Sequence, residues 1–312
     1  MRYRHIPAMP KEVDHYLNCR PGHKIVDGTI GGCGHASRIC AKILPDGLLI
    51  GIDRDKDAIA SAKTILEPFA PNICLFHGNF IHLSDFLSQL KLTAVDGILL
   101  DLGVSLHQIE NSGRGFSFRA DEPLDMRMNN QSGKTAADLI NSLDEVELQN
   151  IFKNYGEERW AKRIAHKIIN VRRQKKIRTS KELTQIISDA IPRQAAPRQK
   201  IHPATRVFMG LRIAVNQELE TLKAFMDQVV SFLNPGGRLC VLSFHSLEDR
   251  IVKHHLRALE KGCSCAPQLP RCVCGQKPLI KILTKKVVRP TAQEVSINPM
   301  ARSTRLRAAE KI

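Results

Sequence analysis

Between Ile25 and Gly103 the chain repeats one pattern four times: a short, nearly continuous apolar run, a turn, then a stretch compatible with a helix. The runs are IVDGTI, LLIGIDRD, ICLFHGNF and DGILLDLGV, and the clearest intervening helix is DAIASAKTILEPF. Runs this apolar leave no polar face for water, so they predict strands covered on both sides in a parallel sheet. A fifth run, GGRLCVLSF (Gly236 to Phe244), lies far downstream. Before it come an amphipathic helix (Leu219, Leu222, Phe225, Met226, Val229) and the turn Asn234-Pro235-Gly236-Gly237; after it comes the helix SLEDRIVKHHLRAL. The expected fold is α/β: a Rossmann-like, doubly wound, mostly parallel sheet that resumes near Ile213. Residues 1–107 and 207–312 form its two parts, the second with a basic C-terminal tail, and 108–206 form an inserted, mainly helical domain.

The insertion opens with ENSGRGFSFRADEPLDMRM, whose glycines, proline and charges predict an ordered loop over the strand ends. Helical signals follow. Ser142 with Glu145 reads as a capping box, and Gly156 as a helix stop. Trp160, Ile164, Ile168 and Val171 then fall on one apolar stripe, flanked by Lys162, Arg163, Lys167, Arg172 and Arg173. Thr179 with Glu182 predicts a further cap, for a helix that turns Leu183, Ile186, Ile187 and Ala190 inward and stops at Pro192.

Chemistry concentrates at the first strand. KIVDGTIGGCGHA (Lys24 to Ala36) carries an apolar run into Gly31, Gly32 and Gly34 and then a helix, the pattern of a turn that lets backbone approach a ligand. The second strand ends on Asp53, 25 residues after Gly28, where a carboxylate can accept hydrogen bonds from both hydroxyls of a ribose. Dinucleotide sites carry G-x-G-x-x-G, because a pyrophosphate sits on the helix N-terminus. Here the spacing is G-x-x-G-G-x-G. That favours a cofactor without a pyrophosphate, of the S-adenosylmethionine type, over a nicotinamide; a tight turn without ligand is the plainer alternative. Asp101 ends the fourth strand at the same sheet edge, where it can bind the amino group of a cofactor or of a nucleobase, or simply cap the next helix.

Charge adds a partner. The chain of 312 residues carries a net charge of +16, unevenly spread: Phe152–Arg212 has 16 Lys and Arg against 4 acids, and Arg250–Ile312 has 14 against 3, so the remainder is acidic. Solvated helix faces would interleave both signs, so a polyanion (RNA, DNA or an anionic membrane) is the expected partner. There is no apolar run of membrane-spanning length and no apolar stretch near Met1, so a cytoplasmic protein is expected. Nine scattered cysteines fit reduced thiols better than a disulfide framework. Cys263, Cys265, Cys272 and Cys274 form C-x-C-x6-C-x-C. Four close thiols can bind zinc, although the usual knuckle is C-x2-C, and unliganded thiols in a loop are the alternative; no metal ligand is assigned. His245, beyond the fifth strand, suits either substrate contact or a structural hydrogen bond, while His254 and His255 read as helix surface.

DGTIGGCGH, GIDRD, HGNF, DGILLDLGVSLHQ, RGFSF, PLDMRM, RVFMGLRIAVNQEL, LSFHSLEDRIVK and NPMARSTRLRAAE together resemble the bacterial 16S rRNA (cytosine-N4)-methyltransferase family (RsmH/MraW), from His5 to Glu310. The resemblance implies a class I S-adenosylmethionine-dependent methyltransferase with an inserted helical domain. Its implied substrate is a cytidine in the decoding centre, the P-site region, of 16S rRNA in the small ribosomal subunit, so neither DNA nor a membrane is expected as partner. Carried over by motif, the implied cofactor contacts are Cys33, Gly34, His35, Asp53, Phe80, Asp101 and Gln108. Relatives commonly have a small residue at the position of Cys33, and Ser-Pro-Gln where this chain has Leu106-His107-Gln108. Cytosine N4 is a weak nucleophile, so acceptors for its hydrogens, from Asp101 or the carbonyls of the DLGVS turn, would help methyl transfer. The base has to be exposed or flipped to reach the crevice, and the basic insertion, with Lys162, Arg163, Lys167, Arg172 and Arg173, is the expected RNA face.

Overall fold

The computed structural model describes residues 6–192, 201–263, 265 and 274–312. The chain divides into two compact units, residues 1–103 with 219–312, and residues 104–218.

The first unit is built on a seven-stranded sheet in the order β3-β2-β1-β4-β5-β7-β6. Its strands are β1 (Lys24–Asp27), β2 (Leu48–Asp53), β3 (Ile73–His77), β4 (Val95–Asp101), β5 (Leu233–Ser243), β6 (Ile280–Ile282) and β7 (Arg305–Lys311). β1 to β5 pair in parallel, and β7 runs antiparallel between β5 and β6. This is the doubly wound, mostly parallel sheet that the apolar runs predict. The strands read as apolar because helices cover both faces. Val26, Ile50, Ile52, Ile98, Leu100 and Val241 enter one core, and Ile25, Leu49, Leu99, Cys240 and Leu242 enter the other. Chain direction across the sheet reverses between β1 and β4, and at such a switch point the strand ends open a crevice for ligands.

Two sequence expectations change here. The sheet resumes at Leu233 rather than near Ile213, which lies buried within the helix Ala204–Asn216. The final residues are not a free tail. Leu306, Ala308 and Ala309 are buried in β7, while Arg307 pairs with Asp249 at 2.6 Å and Arg238 with Glu310 at 3.0 Å.

In the second unit, the loop after Asn111 is ordered by backbone contacts. Leu124 N–H donates to Arg178 O (2.9 Å), Ser180 Oγ to Ala120 O (2.7 Å), and Arg114 Nη1 to Arg127 O (3.1 Å) and Met128 O (3.0 Å). Ser142 ends the helix Ala136–Ser142 instead of capping the next one. The box that starts Glu145–Asn150 is Asp144 with Glu147, because the carboxylate of Asp144 reaches Glu147 N–H at 2.8 Å. Thr179 with Glu182 does cap Ser180–Ala190. That helix, Ala161–Arg172 and Ala204–Asn216 close a core around Phe152, Ile164, Ile168, Leu183, Ile187 and Leu211. Gly210 faces Gly156 so closely that a Cβ on it would lie 3.0 Å from Gly156 N, a tight crossing of two segments. Among the described residues no helix is long and apolar enough to cross a membrane.

Candidate active site

The C-terminal edge of the sheet gathers three carboxylates from adjacent strands: Asp27 ends β1, Asp53 ends β2 and Asp101 ends β4. Around them runs the turn from Gly28 to Gly34. Gly28 N–H donates to Leu99 O (2.9 Å) and Ile30 N–H to Ile52 O (3.0 Å), so the turn continues the ladders on both sides before leaving the sheet. A Cβ on Gly28 would lie 2.6 Å from Leu100 Cδ2, so only glycine fits there without a shift. Cys33 adopts the left-handed conformation (φ 61°, ψ 14°) as the N-cap of the helix Gly34–Ile43. That conformation favours glycine, so a cysteine here is a departure from the residue the backbone would prefer. Burial pushes the Cys33 thiol up to about 12, with Asp27 and Asp53 adding to the shift, so it is a neutral packing group and not a nucleophile.

Asp53 anchors the turn. Its Oδ2 accepts Gly31 N–H at 2.9 Å and its Oδ1 accepts Asp55 N–H at 2.8 Å. Each carboxylate oxygen has lone-pair capacity beyond that one bond, which suits a pair of vicinal hydroxyls. Burial raises its pKa to about 6, against the two backbone donors that lower it.

Asp101 is the most perturbed of the three. Burial, then the proximity of Asp27 and Glu248, raises it to about 8. Its N–H is taken by Thr29 Oγ1, and Thr29 N–H in turn donates to Asp27 Oδ1 at 3.2 Å. Asp101 Oδ2 lies 3.8 Å from His35 Nε2, while Oδ1 is buried with no hydrogen-bond partner among the described residues. A buried carboxylate oxygen left without a donor at a crevice marks where a ligand's N–H group is wanted. Asp101 does not cap the following helix; Ser105 does.

Asp27 was not singled out by the sequence reading. It is 1% exposed and raised to about 7 by burial, with Asp53 nearby. The signal was available: it is the one acid closing an apolar run immediately before the glycine turn.

The other expected contacts have structural partners of their own. The side chain of Phe80 packs edge-on against Phe225 (5.1 Å between ring centres) and belongs to the core beneath the turn. Gln108, in the second unit, spends its side-chain oxygen on Ser105 N–H at 3.0 Å in a capping box. His245 caps the helix Ser246–Lys261 and lies 3.1 Å from Glu248 Oε1, the structural alternative raised by the sequence. His255 bonds Asp227 at 2.9 Å.

On the helix Ala161–Arg172, Arg172 Nη1 donates to Ile140 O (2.7 Å) and Arg163 Nε to Ala190 O (3.1 Å), so both arginines tie neighbouring helices together. Lys162, Lys167 and Arg173 are exposed, with no ion pair or side-chain hydrogen bond to them among the described residues.

These features find their counterpart in known proteins. The family model for the MraW methylase family matches residues 2–312. The protein named ribosomal RNA small subunit methyltransferase H in Desulfosudis oleivorans is 54% identical over 312 residues, covering 100% of both chains. Its namesake in Desulforapulum autotrophicum is 52% identical over the same full span, and that of Geotalea uraniireducens 51% identical over 310 residues and 99% of each chain. With a strand-end crevice on a doubly wound sheet and a likeness that runs the length of the chain, this protein belongs to the MraW methylase family.

Proposed function

We propose that this methyltransferase transfers a methyl group from S-adenosylmethionine to N4 of a cytidine in the decoding centre, the P-site region, of 16S rRNA. Its substrate is then the small ribosomal subunit. The observation that carries the reading is the full-length identity with relatives named as small-subunit ribosomal RNA methyltransferases.

The residues present fit the cofactor. Asp53 would take the ribose hydroxyls, the backbone of Cys33, Gly34 and His35 would pass the amino-acid end, and the open oxygen of Asp101 would meet an N–H group. When bound, S-adenosylmethionine supplies a methyl group already activated by its positive sulfur. The chain's own task is therefore alignment, and well-oriented reactants can gain several kcal/mol, up to about 7–11, from it. Asp101 serves N4 as well as it would serve an ammonium group. An acceptor for an N4 hydrogen holds the exocyclic amine so that its lone pair leaves conjugation with the ring, and it stabilises the positive charge that develops there. Burial favours the protonated form of Asp101 in the ligand-free chain; a cationic ligand beside it favours the carboxylate that acceptance requires. The second unit, with Lys162, Lys167 and Arg173 exposed, contributes phosphate contacts, and shape rather than base edges selects the site, because A-form grooves hide those edges.

The test is methyl transfer to 30S subunits from a strain lacking the modification, mapped by nuclease digestion and mass spectrometry. The expected product is a single N4-methylated cytidine in the decoding centre. Methylation at another atom, or only of deproteinised rRNA, defeats the reading. In parallel, calorimetry of Asp53→Ala is expected to show at least a tenfold loss of S-adenosylmethionine affinity, since hydrogen bonds to a charged group are worth about 1.5–3 kcal/mol. Unchanged affinity removes the ribose role from Asp53.

A further inference from the structure

The helix Ser246–Lys261 ends on Gly262, whose N–H closes on Ala258 O at 3.0 Å and whose φ is 67°. There the chain leaves toward Cys263 and returns past Cys274 to β6 at the sheet edge. The two ends of this excursion are pinned. A Cβ on Gly262 would lie 2.4 Å from the carbonyl carbon of Lys277, and Leu279 N–H donates to Leu259 O at 3.0 Å. Ile282 N–H reaches Glu260 Oε1 at 2.8 Å. Backbone contact this close brings the neck of the loop together, and three cysteines meet beside it.

The sulfur atoms of Cys263, Cys265 and Cys274 all lie within 4.8 Å of one another, and the Cys263–Cys274 separation is 3.7 Å. That spacing is far beyond the 2.05 Å of a disulfide. It matches the edge of a tetrahedron of thiolates about a zinc ion: with Zn–S near 2.3 Å, neighbouring sulfurs stand about 3.8 Å apart. All three side chains are half-buried, enough to exclude bulk water from one side of an ion and still admit it. Lys261 and Lys277 flank the cluster in sequence, and positive charge there offsets the net negative charge of three thiolates on a divalent ion.

We propose that Cys263, Cys265 and Cys274 hold a structural zinc ion that closes the loop between the helix Ser246–Lys261 and β6. Cys272 lies outside the described residues, and the fourth ligand is left unassigned. The site takes no part in methyl transfer. It adds a staple to a neck already held by hydrogen bonds and by the packing of Leu259, Ile280 and Ile282, and it keeps the thiols from oxidation, because metal-bound thiolates are less available to react. The stabilisation follows from loop closure: the ion removes from the unfolded chain the freedom of a loop that the native fold already draws together.

Metal analysis of untagged protein, purified without chelator from cells grown with zinc, is expected to give about one zinc per chain. Cys274→Ser is expected to lower that content about tenfold or more, whereas Cys274→His, which keeps a nitrogen ligand, retains most of it. Cys74→Ser, remote from the cluster, leaves it unchanged. If the serine variant does not fold, stepwise titration of the wild type with a mercurial, read by a zinc indicator, still decides the matter: zinc release in step with the cluster thiols supports the site. Protein without zinc that also fails to take up added Zn2+ overturns the proposal. So does a mass two protons short with no metal bound, the mark of a disulfide, or visible absorbance with bound iron, the mark of an iron–sulfur cluster.

Discussion

At the scale of single residues, the feature that distinguishes this site is three acids at neighbouring strand ends whose pKa values burial raises. Asp53, Asp27 and Asp101 are raised from 3.8 to about 6, 7 and 8, in each case first by burial. In the unfolded chain all three titrate near the ordinary carboxylate value. Between about pH 4 and pH 8 the folded chain therefore binds more protons than the unfolded one, and its stability falls as pH rises through that window. Asparagine at 101 has the shape of the protonated acid and stays neutral at every pH. Asp101→Asn is expected to match the wild type near pH 4.5 and to melt higher than it at pH 8.5, in the absence of ligand. Melting curves measured across that range check this; parallel profiles for the two proteins would show that Asp101 ionises freely in the fold. Methyl transfer should show the opposite trend. If the Asp101 carboxylate accepts from N4 as proposed, wild-type activity rises with pH and the asparagine variant loses it. A cationic ligand beside these buried acids favours their ionised form and so offsets the stability they cost the free protein as pH rises.

Among the elements, the helix Ala161–Arg172 separates two kinds of basic residue that look alike in sequence. Ile164 and Ile168 are fully buried and fix which way it faces, each contributing roughly 1.5–3 kcal/mol by burial. Arg163 and Arg172 then satisfy carbonyls at the ends of neighbouring helices, Ala190 and Ile140, so replacing them disturbs the fold as well as any ligand. Lys162→Glu, Lys167→Glu and Arg173→Glu in combination are expected to leave melting temperature and S-adenosylmethionine affinity unchanged and to weaken binding to 30S subunits at least tenfold. If methylation of 30S particles proceeds at the wild-type rate, this helix is not the RNA face. The same contrast shows what the chain reveals before it is folded. Strands β1, β2, β4 and β5 were legible because both their faces are buried, β3 because its half-buried positions are still an apolar run, and Asp53 and Asp101 because each closes such a run. β7 was not: Arg305, Arg307, Glu310 and Lys311 alternate with Leu306, Ala308 and Ala309, and only pairing to β5 with ion pairs to Asp249 and Arg238 makes such a sequence a central strand. Nor were the ties of Arg172 and the cap formed by Gln108, since both depend on which backbone groups the fold leaves in need of a partner.

For the whole molecule, the uneven charge sets how it meets its substrate. The net +16 is concentrated in Phe152–Arg212 and Arg250–Ile312, and the remaining residues, which include the three acids of the crevice, are net negative. Part of the second basic segment is committed internally, since Arg307 and Lys311 bond Asp249 and Leu233 O within the sheet. Basic side chains that contact phosphates release their counterions, so the association constant for a nucleic acid falls with salt as a power law, by roughly 0.7–0.9 of a log unit per contact for each tenfold rise in salt. Cofactor binding in the crevice involves no polyanion and should lack that dependence. Filter binding of 30S subunits from 50 to 300 mM salt, beside calorimetry of S-adenosylmethionine over the same range, is expected to give a steep slope for the first and a nearly flat one for the second. The triple variant Lys162→Glu, Lys167→Glu and Arg173→Glu should reduce the steep slope by about two to three, one increment per lost phosphate contact. A slope that the variant leaves intact would move the phosphate contacts to the other basic segment, and a flat slope for the wild type would mean that 30S recognition is not electrostatic at all. The division of labour follows from the sign of the charge: buried carboxyl groups at the strand ends suit a cationic cofactor, while the exposed Lys162, Lys167 and Arg173 suit an RNA.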